Sequence, residues 1–259
     1  MTGILISIPI ALAVNAAFFV VAARRQTDVV TDLSYSLSFA VLAVALVPFG
    51  GHAWVQLAAS LLVCLWAIRL GGYLFTRILR IKVDHRFDGI RERPLRFARF
   101  WLLQALSIAV ILLPVSYLLG RPHAPGVGAW TAAGAVIWLA GLVIETIADI
   151  QKSDFKGKPG NGERFIASGL WRYSRHPNYF GEMLVWWGLF LLAVPFLHGV
   201  AFAVVAGPVY LSLLLLYVTG IPPLEKSAET KHGADPAYRE YKRRTSVLVL
   251  LPRRKGLSR

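Results

Sequence analysis

Seven apolar runs, near residues 4–22, 33–49, 53–76, 101–119, 130–148, 179–197 and 199–219, dominate this chain. A helix of about 20 apolar residues matches the hydrocarbon thickness of a bilayer. A backbone in lipid must satisfy its own hydrogen bonds, so runs of this length are helices. The fold class expected is therefore all-α, a polytopic membrane protein with seven transmembrane helices. A six-span chain with 33–49 re-entrant is the alternative.

The basic residues give the orientation. Segments 23–32, 77–100, 149–178 and 220–259 hold 2, 8, 6 and 10 Lys and Arg, or 26 of the 28 in the chain. Only Arg121 falls in an opposite-side loop, and Arg69 falls within a helix. An even helix count spoils this segregation, so positive-inside bias predicts the N-terminus outside and the C-terminus cytoplasmic. Arg24 and Arg25 follow the first run rather than precede it, the reverse of a cleavable signal peptide. That run is expected to stay as a helix.

Composition sets further bounds on function. Only 16% of residues are charged, below the roughly 25% of soluble domains, which argues against a soluble enzyme or a disordered tail. The net charge of +14 reads as a membrane-facing bias rather than nucleic-acid binding. Cys64 is the single cysteine, so an intramolecular disulfide is impossible. The six histidines never pair at metal-ligand spacing, and no zinc site is expected. GxGxxG and Walker patterns are absent, which excludes a Rossmann or P-loop carrier, and no context supports a Ser-His-Asp arrangement. No internal repeat or Gly/Pro-rich linker divides the chain, so residues 1–259 are read as one integral membrane domain. Its cofactor-binding half is expected at about 145–259.

Ionisable groups at membrane depth are expensive and point to function by default. On the third helix Trp66, Arg69, Tyr73, Arg77 and Arg80 recur every three or four residues and share a face. Glu145 and Asp149 stand four apart on the fifth run and its extension, followed by Gln151, Lys152, Lys156 and Arg164. Asn178, Glu182 and Trp186 line one side of the sixth. Asp32 opens the second, as a functional acid or as an N-cap, with Tyr35 one turn on. Together these suggest a polar cavity open to the cytoplasm. Excess cations imply an anionic ligand, with phosphate suiting arginine geometry. Aromatic residues such as Trp66, Trp171 and Tyr179 can stack on a flat ring. A phosphorylated dinucleotide meets these demands.

The stretch Leu170–Trp171–Arg172–Tyr173–Ser174–Arg175–His176–Pro177–Asn178–Tyr179–Phe180–Gly181–Glu182 resembles the membrane steroid 5-alpha-reductase family, and specifically its bacterial multi-pass branch. The wider group includes sterol C14 reductases and, more distantly, isoprenylcysteine carboxyl methyltransferases. Residue by residue, the resemblance implies NADPH contacts at Asp149, Lys156, Arg164, Asn178 and Glu182. It also implies cofactor-side positions at Arg69, Tyr73 and Arg80, and at Lys226, Tyr238 and Tyr241 of the tail. Lys156 replaces an arginine and so keeps the charge without the fork. Where the steroid enzymes carry a tyrosine and a glutamate near the substrate carbonyl, Trp66 and Asp32 stand here. Tryptophan delivers no proton at a useful pH, which leaves Asp32 as the acid, with Tyr35 as a spare donor and Trp66 in the substrate pocket.

The function this implies is an NADPH-dependent reductase of a carbon–carbon double bond in a lipophilic, steroid-like or other enone substrate that enters from the bilayer. Membrane lipids are its expected surroundings and a bacterial inner membrane its expected location. The alternative is an S-adenosylmethionine-dependent methyltransferase of the isoprenylcysteine or phospholipid type. Glu225, Glu229, Gly233, Tyr238 and Tyr241 partly mimic the tail of those enzymes, although Glu225–Lys226 stands where they carry two adjacent glutamates.

Overall fold

The computed structural model describes residues 2–81, 89–122 and 127–253. Helices form its architecture, and among the described residues the only β-like pairing is an isolated parallel bridge between Ser174 and Ser246. The helices in chain order are α1 (Thr2–Arg25), α2 (Val29–Ala45), α3 (Trp54–Ile81), α4 (Pro94–Ile111), α5 (Leu113–Leu119), α6 (Ala129–Gly157), α7 (Pro177–Ala193), α8 (Ala206–Leu213), α9 (Ile221–His232) and α10 (Pro236–Arg244). Among the described residues seven helical stretches are long and apolar enough to cross a membrane, including Val29–Phe49, so the re-entrant alternative for 33–49 is not needed.

The third and fifth runs extend past expectation, to Ile81 and Gly157, and two further boundaries differ for local reasons. The run at 101–119 begins earlier, at Pro94, and its helix is interrupted at Leu112, just before Pro114 enters at the start of α5. Proline has no N–H to give and fits best in a first turn. The run at 199–219 is also composite: a 3₁₀ segment, α8, then a π-helical turn at Leu214–Val218. Helix α2 starts at Val29, with Asp28 at the N-cap position. Asp32 is therefore a first-turn residue, not a cap.

The chain divides into two compact units, residues 1–134 with 189–207 and residues 135–188 with 208–259. In the first, Phe97 and Trp101 of α4 pack on Ala22 and its aromatic neighbours Phe18 and Phe19 of α1. Its interior is tied by polar side chains. Gln104 donates to Asn15 Oδ1 (2.9 Å) and to Ser34 Oγ (3.0 Å), and Asn15 donates to Ser38 Oγ (3.2 Å). Gln56 donates to the carbonyls of Leu118 and Arg121. In lipid such bonds, rather than burial from water, hold helices together. Large apolar side chains correspondingly face outward, with Ile68 at 70% exposure and Val136 of the other unit at 67%.

In the second unit α6 and α7 approach closely at two glycines. A Cβ placed on Gly181 lies 2.6 Å from both the Glu145 nitrogen and the Gly141 oxygen, and one on Gly141 lies 2.6 Å from the Gly181 oxygen. Small residues at both contact points permit this backbone approach.

Candidate functional site

Beyond α6 the second unit is built from a loop, the turn at 169–176 that leads into α7, and the C-terminal helices. Lys156 donates to the carbonyls of Gly162 and Arg164, both at 2.7 Å, and so closes the turn that leaves α6. Gly169 has φ +59°, and a Cβ there would collide with the Gln151 side chain. That side chain accepts the Leu170 N–H at 2.8 Å. A left-handed glycine is what such a reversal requires. Trp171 then donates its indole N–H to the Ala148 carbonyl (3.0 Å), and Lys152 sits over its ring at 4.8 Å.

The C-terminal segment is fastened to this turn by its backbone. Arg175 N–H donates to Ser246 O (2.8 Å), its guanidinium donates to Lys242 O (2.9 Å), and Ser174 Oγ donates to Leu248 O (2.6 Å). Tyr241 donates its hydroxyl to Trp171 O at 2.8 Å. Burial pushes that hydroxyl well above the usual tyrosine range, so its proton stays committed to the carbonyl. Helix α10 begins with Asp235 accepting the Ala237 N–H (2.8 Å) and with Pro236 as its first residue, a standard start.

These elements enclose a cleft of about 220 Å³. Four cations border it, Lys152, Lys156, Arg164 and Arg175, against the single carboxylate of Glu225. Aromatic walls come from Phe165, Trp171, Tyr238 and Tyr241. Phe165 stacks on Tyr241 (5.5 Å) and meets Tyr238 and His232 edge-on (5.2 and 5.6 Å). Glu225 is held by His176 Nε2 at 2.8 Å and Arg175 Nε at 3.2 Å, with Lys242 Nζ at 3.9 Å. Burial draws the His176 imidazole below its ordinary pKa, outweighing the opposite pull of Glu225. Lys242 is raised, chiefly by its hydrogen bond to Glu229.

Four residues that the resemblance assigns to the cofactor border this cleft, Lys156, Arg164, Tyr238 and Tyr241, and so do Lys152 and Trp171 of the polar and aromatic set read from the sequence. Asp149, Asn178 and Glu182 do not. Asp149 is 3% exposed, one turn beyond the buried Glu145 on α6. Asn178 and Glu182 flank Gly181, the contact point on α7. Lys226 is exposed on α9 and takes no part in the lining. Arg175, His176 and Glu225 also border the cleft, and helical spacing in the sequence does not single them out. Their sequence signal is the RHPN run and the acid of the methyltransferase-like tail, which the fold joins across 49 positions.

In the first unit, Asp32 pairs with Arg77 at 2.8 Å. Trp66 is fully buried with Phe39 edge-on at 5.3 Å, and Tyr35 meets the same Phe39 ring at 5.1 Å. Arg69 lies over the Tyr73 ring at 5.8 Å. The side chain of Arg80 lies outside the described residues. Among the described residues no group of three or more His, Cys, Asp or Glu is placed to hold a metal.

The chain is similar to an uncharacterised protein of Schizosaccharomyces pombe, 29% identical over 162 residues, covering 49% of this chain and 45% of that one. It is also similar to 3-oxo-5-alpha-steroid 4-dehydrogenase 1 of Mus musculus and of Rattus norvegicus. Each is 41% identical over 71 residues, 27% of this chain and 27% of the relative. The chain thus spans less than half the length of the curated relatives it matches. No solved structure gives a significant match. Residues 18–245 match the family described as "Protein of unknown function (DUF1295)". With that match running from within the first transmembrane helix to the end of α10, the chain belongs to the DUF1295 family.

Proposed function

We propose that this protein is a membrane-embedded reductase that binds NADPH and reduces a carbon–carbon double bond in a lipophilic substrate. The observation that carries the reading is the cleft of the second unit, with four cations against one carboxylate beside four aromatic rings. Similarity to two steroid 4-dehydrogenases supports the reaction class.

The residues present fit the coenzyme in kind. Arginine forks and lysine ammonium groups suit phosphate, and Phe165 and Trp171 offer faces for a planar ring. The volume of about 220 Å³ is below the roughly 300–1,000 Å³ of whole-ligand pockets, so it takes one end of the molecule. The phosphorylated adenosine end matches the cations best. Lys152, Arg164 and Arg175 would hold phosphate there, and Lys156 would shape the loop around it. Asp149, Asn178 and Glu182 are proposed for the remaining polar contacts.

When bound, NADPH supplies the hydride. The chain's own task is alignment, exclusion of water and delivery of a proton. We assign the acid role in the first unit to Asp32, with Tyr35 as the reserve donor. Trp66 is proposed to shape the substrate pocket, and Arg69, Tyr73 and Arg80 to serve the cofactor side. Lys226 and the two tail tyrosines complete that set. The N-terminus is proposed outside and the C-terminus in the cytoplasm of a bacterial inner membrane, so that coenzyme reaches the cleft from water and substrate arrives through lipid.

One observation favours a second reading. Glu225, Tyr238 and Tyr241, the tail residues that resemble methyltransferases, all border the same cleft. Calorimetric titration of the detergent-purified protein with NADPH, NADH and S-adenosylmethionine separates the two. The reductase reading expects NADPH to bind at least tenfold more tightly than the other two. Binding of S-adenosylmethionine alone overturns it.

A further inference from the structure

The imidazole of His176 is buried, with 7% of its side chain exposed, yet it borders the cleft. Its Nε2 lies 2.8 Å from Glu225 Oε1. A carboxylate only accepts, so Nε2 carries the hydrogen of the neutral ring, and Nδ1 is left as a lone-pair acceptor. Among the described residues Nδ1 has no hydrogen-bond partner. The ring cannot easily turn: Tyr179 stacks on one face at 5.9 Å and 10°. The backbone N–H of His176 is held by Ser174 Oγ at 3.1 Å, and that hydroxyl is fixed on Leu248 O.

The surrounding charges secure the same tautomer. Arg175 on the turn and Lys242 on α10 both face Glu225 and keep it a carboxylate. Lys152 on α6 adds a positive field against protonation of the ring, and burial acts the same way. Tyr238 and Tyr241 border the cleft as neutral phenols, both with proton loss made harder by burial. An acceptor of this kind on a residue bordering the cleft, beside a cluster of cations, selects a ligand carrying a neutral O–H donor next to an anionic group.

Resting on the NADPH reading above, we propose that His176, oriented by Glu225, accepts a hydrogen bond through Nδ1 from the adenine-ribose 3′-hydroxyl, while the neighbouring cations take the adjacent 2′-phosphate. Glu225 is a positioning residue in this arrangement, and no covalent step is involved.

The test is NADPH affinity in the full-length protein, measured for wild type, His176→Ala and His176→Asn at pH 7.5 and 5.5, with the 3′-deoxy analogue of NADPH as second probe. The Asn side chain can place its carbonyl oxygen near the Nδ1 position. Expected results are a tenfold loss for His176→Ala and less than threefold for His176→Asn. Wild-type affinity should fall on acidification as Nδ1 takes a proton, and that part of the slope should vanish in His176→Asn. The 3′-deoxy analogue should lose about tenfold on wild type, with no variant required, and nothing further on His176→Ala. Equal binding of NADPH and its 3′-deoxy analogue by wild type overturns the assignment. Failure of wild type to bind NADPH at all overturns the underlying reading instead.

Discussion

Replacing Gly181 by alanine tests how the second unit holds α6 and α7 together. The added Cβ falls 2.6 Å from the Glu145 nitrogen and the Gly141 oxygen and 2.8 Å from Glu145 Cβ. Two of these three atoms are backbone, so no side chain can swing aside and the helices must part. Overpacking of this kind costs about 3 kcal/mol at its upper end, and the better helix propensity of alanine returns about 1 kcal/mol. The net of about 2 kcal/mol corresponds to a fall of about 4–8 °C in melting temperature for a chain of this size. Gly72 is the control, since nothing lies within 4 Å of a Cβ there. Gly72→Ala should be neutral or raise the melting temperature by about 2–4 °C through propensity alone. The assay is thermal unfolding of both variants in one detergent, followed by tryptophan fluorescence. Because Asn178 and Glu182 flank the displaced contact, Gly181→Ala should also weaken NADPH binding. A Gly181→Ala protein that melts at or above wild type refutes the close-crossing argument.

Other outcomes follow from single contacts. Tyr241→Phe removes the hydroxyl bonded to the buried Trp171 carbonyl and should cost about 1–2 kcal/mol, read by chemical denaturation. His176 has a folded pKa below that of the unfolded chain. The unfolded state therefore binds more protons, and stability should fall as pH drops from about 6.5 toward the depressed value, then level off. Melting curves of wild type against His176→Asn across that window isolate the effect, and a wild type that gains stability from it on acidification contradicts the assignment. Asp32→Asn breaks a half-exposed ion pair with Arg77, so stability should change by no more than about 1 kcal/mol. Turnover of an enone lipid should nevertheless fall at least tenfold with NADPH affinity retained, if Asp32 handles the proton. Arg164→Ala should lower NADPH affinity at least tenfold, measured by calorimetry, as expected for a charged hydrogen bond.

The helical architecture was legible because lipid leaves a backbone few choices, and seven apolar runs appear directly in the residue pattern. The break at Leu112 and the π turn at Leu214–Val218 were less visible, since both sit inside continuous apolar sequence. Periodicity in steps of three and four singled out Asp149, Asn178 and Glu182, residues that share helix faces but do not border the cleft. It could not find the pairing of His176 with Glu225, because that contact joins residues 49 positions apart through the path of the chain. Lys156 shows a different limit: its charge was evident, but its use in closing the 162–164 turn depends on where two carbonyls point. Asp32 was readable either as a cap or as a functional acid. The helix begins three residues before it, which removes the first option, and Arg77 as its partner emerged only from the packing of α2 on α3.

The most direct test of the central claim is a hydrogen-exchange footprint of NADPH on the full-length protein. Slowed exchange concentrated in residues 152–176 and 225–241 is the predicted result. Saturating NADPH that leaves both segments unprotected, or protects other parts of the chain instead, contradicts the placement of the coenzyme in this cleft.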